Sequence, residues 1–198
     1  PMISDRNLAC FKAYDIRGKL GEELNDDIAY RIGRATAQSL NTKTVVVGFD
    51  ARETSATLAQ AIVKGVSESG ADVLDIGFSG TEEVYAYVSE FGASAGIEVT
   101  ASHNPIEYNG MKIVKEGSQP LSDLEFSKIK FLSEEDSFTL SQLTGSITYI
   151  TSDARNAYID KIIEFVDLKY LKALKIVINS GNGAAGPTID ALKLKLEE

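Results

Sequence analysis

Ser102, His103 and Asn104 stand in a row in a chain of 198 residues whose only histidine is His103, and Lys112 follows a short way on. A hydroxyl, an imidazole, an amide and an ammonium near one point suit the handling of an anion. The surrounding residues say where that point lies. Gly96-Ile97-Glu98-Val99 reads as a strand, residues 100–105 are small or turn-forming, and Met111 to Val114 reads as a second strand after the turn pair Asn109-Gly110. Ser102 and His103 then sit just past a strand's carboxyl end, where open α/β sheets keep their ligands. Pro105 disfavours helical geometry for Asn104, so the loop does not wind into a long helix. An ordinary polar turn uses the same residue types. Acyl transfer fits poorly, because the Gly-x-Ser-x-Gly elbow is missing. Adjacent side chains also point apart in extended chain, which makes Ser102 and His103 a poor nucleophile and base pair.

Two other stretches bear charge in turn-like settings. In Phe11-Lys12-Ala13-Tyr14-Asp15-Ile16-Arg17-Gly18, alternation of Phe11, Ala13 and Ile16 predicts a short edge strand ending at Gly18. By themselves Asp15 and Arg17 read as a solvated turn. In Gly48-Phe49-Asp50-Ala51-Arg52-Glu53-Thr54-Ser55, Asp50 and Arg52 are compatible with a turn and its ion pair or with a loop that supports a site. A guanidinium suits either task near phosphate, since its fixed fork of donors matches phosphate oxygens two at a time.

Thr100-Ala101-Ser102-His103-Asn104-Pro105, followed by Tyr108-Asn109-Gly110 and Lys112, resembles the active-site loop of the α-D-phosphohexomutases. The likeness extends from Phe11 to the end of the chain and includes the Arg17 and Asp50-Arg52 motifs. It is nearest to the bacterial branch that serves GDP-mannose synthesis. The resemblance implies interconversion of mannose 6-phosphate and mannose 1-phosphate through a phosphoserine and a hexose 1,6-bisphosphate, which also acts as activator. A phosphoglucomutase of the same family, a phosphatase, or a sugar-phosphate- or nucleotide-binding module without catalysis are the alternatives. Carried over residue by residue, Ser102 is the phosphoryl carrier and Lys112 the general acid/base. Arg17 steadies the transferring group, His103 supports catalysis or the loop, and Tyr14 and Asn104 join Arg17 and Lys112 in binding substrate. Mg²⁺ is implied as cofactor, held here only through the phosphate of Ser102, because the family's Asp-Gly-Asp-x-Asp-Arg loop does not occur in this sequence.

The elements needed to position these residues alternate. Asn25 caps a helix with Ile28, Ile32, Ala35 and Leu40 on one side. Thr44 to Gly48 is a β-branched run of the kind buried on both faces of a sheet. A helix with Leu58, Ile62 and Val66 closes at Gly70, Ala71 to Ile76 is a strand, and Thr81 caps a helix that ends at Gly92. Tyr85 and Tyr87 on that helix read as core and rim aromatics. Ser122 caps a further helix with Leu124, Ile129 and Leu132. Residues 133–146 form an acidic surface connection, in which Glu134, Glu135 and Asp136 read as solvated rather than metal-binding.

Repeated strand–helix alternation predicts an α/β fold, a three-layer αβα domain with a mostly parallel, mixed sheet over residues 1–149. Residues 150–198 read as the beginning of a second, similar domain. That part comprises a helix with Tyr158, Ile159, Ile162, Ile163 and Val166 buried, a strand from Leu174 to Ile178, and a helix starting at Pro187. Gly181-Asn182-Gly183-Ala184-Ala185-Gly186 is a literal G-x-G-x-x-G, but the acidic residue that a dinucleotide site needs some 20 positions later is missing. The turn therefore reads as structural.

Composition narrows the partners. The net charge of −9 argues against nucleic acid or an anionic membrane surface. The single Cys10 rules out an internal disulfide and fits a reducing cytoplasm. No run is long enough to span a membrane and the start lacks a signal-peptide pattern. Pro1 ahead of Met2 reads as an addition to a natural start. The expected partners are a hexose phosphate and the remaining C-terminal domains of a parent protein.

Overall fold

The structure, a computed structural model, describes residues 7–197; the reading of Pro1 and Met2 lies outside them. Seven strands are found among the described residues: β1 (Ile16–Lys19), β2 (Thr44–Phe49), β3 (Asp72–Phe78), β4 (Ala95–Val99), β5 (Tyr108–Lys115), β6 (Gln119–Pro120) and β7 (Ile147–Tyr149). The helices are α1 (Asp26–Ser39), α2 (Ser55–Glu68), α3 (Thr81–Phe91), α4 (Asp123–Glu135), α5 (Thr151–Ile163) and α6 (Ala185–Glu197).

The sheet runs β1-β5-β4-β2-β3-β7, with β6 paired to β5. Strands β4, β2, β3 and β7 are parallel, whereas β1 and β6 run antiparallel to β5, as does β5 to β4. The sheet is thus mixed, with parallel pairing from β4 out to the β7 edge and antiparallel pairing around β5 at the other edge. Val45, Val46 and Val47 of β2 are buried, as their unbroken β-branched run predicts. Strands β3 and β4 flank β2 on opposite sides, so the two successive crossovers run in opposite directions. Right-handed crossovers then place α2 and α3 on opposite faces. Helices α1, α2 and α4 enclose one apolar core, and α3 with α5 encloses the other. This arrangement brings the loop after β2 and the loop after β4 side by side, since the two strands are neighbours.

Local signals explain most of the boundaries. The Asn25 side chain accepts a hydrogen bond from the Ile28 amide at 2.9 Å, a cap worth about 1 kcal/mol. Ser122 and Glu125 form a reciprocal capping box at α4, and Gly92 ends α3 in the left-handed conformation. Pro187 lies within the first turn of α6, where its missing N–H costs nothing.

Several expectations need correction. The first strand is Ile16–Lys19, and Ala13 is exposed, because residues 12–15 form a turn that a bridge between Phe11 and Ile16 closes. Asn109 and Gly110 are not a turn; they lie inside β5, and the chain reverses earlier, over residues 101–107. The cap of α3 is Gly80, whose amide donates to Glu83 at 2.7 Å, and Thr81 is the first helical residue. Leu124 and Val166 are exposed. Residues 174–178 form no strand: no strand among the described residues lies beside them to complete a ladder, and Val177 is 97% exposed. The acidic connection begins inside α4, which runs to Glu135, and β7 follows it, paired with β3.

Candidate functional site

The loop after β4 is held from two sides by arginines. Arg52, in the neighbouring loop after β2, donates to four backbone carbonyls: Pro105 at 2.9 Å, Tyr108 at 3.0 Å, Ser102 at 3.0 Å and Asn104 at 2.5 Å. Its own position is fixed by Asp50, which accepts from the Arg52 amide at 3.1 Å and from the Ser55 hydroxyl at 2.6 Å. On the other side Arg17 of β1 donates to the Ala101 carbonyl and, at 2.6 Å, to the Asn104 side-chain oxygen. Asp15 orients Arg17 through a 2.9 Å ion pair. Both guanidinium groups are thus tied to the loop, Arg52 through backbone carbonyls alone.

Below the loop, buried Asn109 donates to Thr54 and Ser55, both at 2.9 Å, and so links β5 to the Asp50 cluster. Gly110 is where β1 crosses closest: a Cβ there would land on the Ile16 carbonyl. At the tip, Ser102 is exposed and its backbone is left-handed, with φ of +53°, unusual for a residue with a side chain. Its amide donates to the Thr100 hydroxyl at 2.9 Å, and the Asn104 amide donates to the Ala101 carbonyl at 3.0 Å. The Ser102 hydroxyl lies 3.5 Å from His103 Nδ1, the outer limit of a hydrogen bond. What emerges is a hydroxyl turned to solvent on a rigid loop, with arginines alongside.

One cavity borders the loop and another lies beside the turn before β1. The first, of about 330 Å³, is lined by Asp50, Arg52, Ser102, Asn104, Ile106 and the turn at Asn182 and Gly183. The other, of about 320 Å³, holds Tyr14, Asp15, Tyr85, Lys112 and Phe126. The structure therefore gathers Ser102, His103, Asn104 and Arg17 at one point, and Tyr14 with Lys112 at another. Asp15 belongs to both, lining the second cavity while pairing with Arg17. Lys112 and Ser102 line different cavities.

Comparison with known proteins gives this geometry a family. Residues 9–139 match the family model described as "Phosphoglucomutase/phosphomannomutase, alpha/beta/alpha domain I". The chain belongs to the phosphoglucomutase/phosphomannomutase family. It is 52% identical over 193 residues to a phosphomannomutase of Escherichia coli K12, covering 97% of this chain and 42% of that protein. Against a phosphomannomutase of Klebsiella pneumoniae the identity is 57% over 132 residues, covering 66% of this chain and 84% of the other. A crystal structure of a phosphoglucomutase/phosphomannomutase family protein from Burkholderia thailandensis superposes with a TM-score of 0.80 at 32% identity, covering all of this chain and 43% of that one. The chain thus spans less than half the length of most of these relatives.

Family membership leaves some residues to be found in the structure itself. Glu98, in the middle of apolar β4, is fully buried at the base of the serine loop. One carboxyl oxygen lies 3.1 Å from Ser79 Oγ, and the other has no partner among the described residues. Ser79 Oγ is also 3.0 Å from the Gly77 carbonyl, which can only accept. The single hydroxyl proton of Ser79 thus faces two acceptors, the Gly77 carbonyl and the Glu98 carboxyl. Burial pushes the Glu98 carboxyl well above the usual range, and the charge of Asp50 adds to that while the Ser79 contact works against it. Gly48 makes the room, because a Cβ there would lie 2.6 Å from the carboxyl. The signal in the sequence was a lone carboxylate within Ile97-Glu98-Val99; alternation puts it on the face opposite the two apolar residues, and it is buried because both faces of β4 are covered. Arg52 read as support and proves to be the loop's main staple. Among the described residues no three His, Cys, Asp or Glu side chains gather to hold a metal. No helix of the described residues is long and apolar enough to cross a membrane.

Proposed function

We propose that this chain is the phosphoryl-carrying N-terminal part of a phosphohexomutase that interconverts mannose 6-phosphate and mannose 1-phosphate. The observation that carries this reading is the Ser102 hydroxyl, exposed at the tip of a loop that Arg17 and Arg52 hold rigid. A loop pinned in this way holds its hydroxyl in one place, so the reacting oxygen needs little reorganisation. The bond between phosphorus and Ser102 Oγ breaks as one forms to the free hydroxyl of the hexose phosphate. The proton that hydroxyl loses returns to Ser102 Oγ, with Lys112 as the proton carrier and Arg17 beside the transferring oxygens. The resulting bisphosphate turns over in place and gives its other phosphoryl group back to Ser102. Asn104 and Tyr14 bind substrate, and His103 supports the loop.

Mg²⁺ is part of the proposal, with the Ser102 phosphate as this chain's contribution and carboxylates from outside the chain completing its ligands. The mannose preference is supported by the 52% identical relatives named phosphomannomutase. A division near residues 149 and 150 is supported by β7, which ends the sheet at Tyr149. The test is turnover of mannose 1-phosphate and glucose 1-phosphate by the full-length protein. Mannose 1-phosphate is the better substrate, Ser102→Ala abolishes turnover, and the 198-residue chain alone shows little or none. Full turnover by the Ser102→Ala protein would overturn the reading.

A further inference from the structure

The second cavity contains a group to which the proposed reaction gives no task. Tyr85 lies one turn into α3 and lines this cavity together with Lys112, Asp15 and Tyr14. Among the described residues its hydroxyl has no hydrogen-bond partner, whereas that of Tyr30 bonds Glu68 and accepts from Arg34 at 3.0 Å. The backbone beneath it is anchored: the Ser118 hydroxyl donates to the Tyr85 carbonyl, and Ser89 bonds Ser118 at 2.9 Å. Its ring packs against the core under α3. The residue is thus fixed in place with its polar end free, unlike Tyr14, which is 93% exposed. Burial, reinforced by the nearby carboxylates of Glu82, Glu98 and Asp15, raises the Tyr85 phenol above its ordinary value and keeps it a neutral donor.

The chemistry of the lining is that of a carbohydrate site. About 320 Å³ falls in the range of small-ligand pockets. Aromatic rings offer flat faces to the apolar side of a sugar ring, while a phenol, a carboxylate and an ammonium serve its hydroxyls. We infer that Tyr85 is a substrate-positioning residue, whose hydroxyl hydrogen-bonds a ring hydroxyl of the hexose phosphate and holds the sugar against Lys112. This rests on the reading of the chain as a phosphohexomutase. It adds a contact from α3 to those from the β1 turn and β5.

The experiment compares the full-length protein with its Tyr85→Phe and Tyr87→Phe variants. Tyr87 is buried and stacked on Phe91 at 4.1 Å, so it controls for loss of a phenol that faces no substrate. Binding of mannose 6-phosphate by calorimetry, steady-state kinetics and thermal melting are read for each. Losing one neutral hydrogen bond predicts affinity weakened, and KM raised, by about three- to tenfold in Tyr85→Phe, with melting unchanged. Tyr87→Phe leaves KM as it was. Equal binding by Tyr85→Phe and the unaltered protein overturns the inference, as does a loss matched by a fall in melting temperature. Absence of turnover in an unaltered protein that still binds the sugar phosphate counts against the mutase reading and not against Tyr85. Absence of any binding overturns both.

Discussion

Two polar turns in this molecule look alike in sequence and behave as opposites in structure. The serine loop and the glycine-rich turn at residues 181–186 each follow an apolar run, and each is rich in small and amide residues. The first receives two arginine side chains from separate parts of the chain. The second has the Asn179 side chain accepting from the Gly181 amide at 2.9 Å, and most of its residues are exposed. A loop becomes a site when distant residues are committed to holding it, and motif spelling does not reveal that commitment.

The largest expected effect follows from Arg52. Arg52→Met keeps the stem and removes four hydrogen bonds to the loop, leaving four carbonyls without that donor. Urea denaturation should show a loss of about 2–4 kcal/mol, and phosphorylation of Ser102 should fail even where the protein remains folded. Gly110→Ala comes next. Its methyl meets the Ile16 carbonyl, so β1 must move away from β5, and a loss of about 2 kcal/mol is expected from the same measurement.

Glu98 beneath the loop gives a pH-dependent contrast. Its carboxyl keeps its proton to higher pH in the folded chain than in the unfolded one. The stability this permits is fully present below the ordinary carboxylate range and is lost as pH rises through the folded value. Glu98→Gln should remove that part of the pH slope and raise the urea midpoint at neutral pH; an unchanged slope would show that Glu98 is already ionised. The smallest effect belongs to the other turn. A Cβ at Gly183 meets nothing within 4 Å, so Gly183→Ala should shift stability by less than about 0.5 kcal/mol.

Much of the fold was legible because its signals are local. Asn25 and Ser122 announce their helices, the valines of β2 announce a doubly buried strand, and Gly92 marks a helix end. Ser102 and Arg17 stood out through a motif resemblance, and the structure places them about one loop. What could not be read depends on partners distant in sequence. Asn109-Gly110 has turn composition, yet β1 and β4 on either side hold it in a strand. Leu174 to Ile178 has strand composition, yet no strand beside it among the described residues completes the ladder. Tyr85 reads as a rim aromatic and is one, half-buried on α3, but helical spacing does not show the cavity it lines.

The most direct measurement is the intact mass of the full-length protein and of its Ser102→Ala variant, before and after incubation with a hexose 1,6-bisphosphate and Mg²⁺. One phosphoryl group gained by the unaltered protein and absent from the variant is the predicted result. An equal gain in both, or none in either, would contradict Ser102 as the carrier.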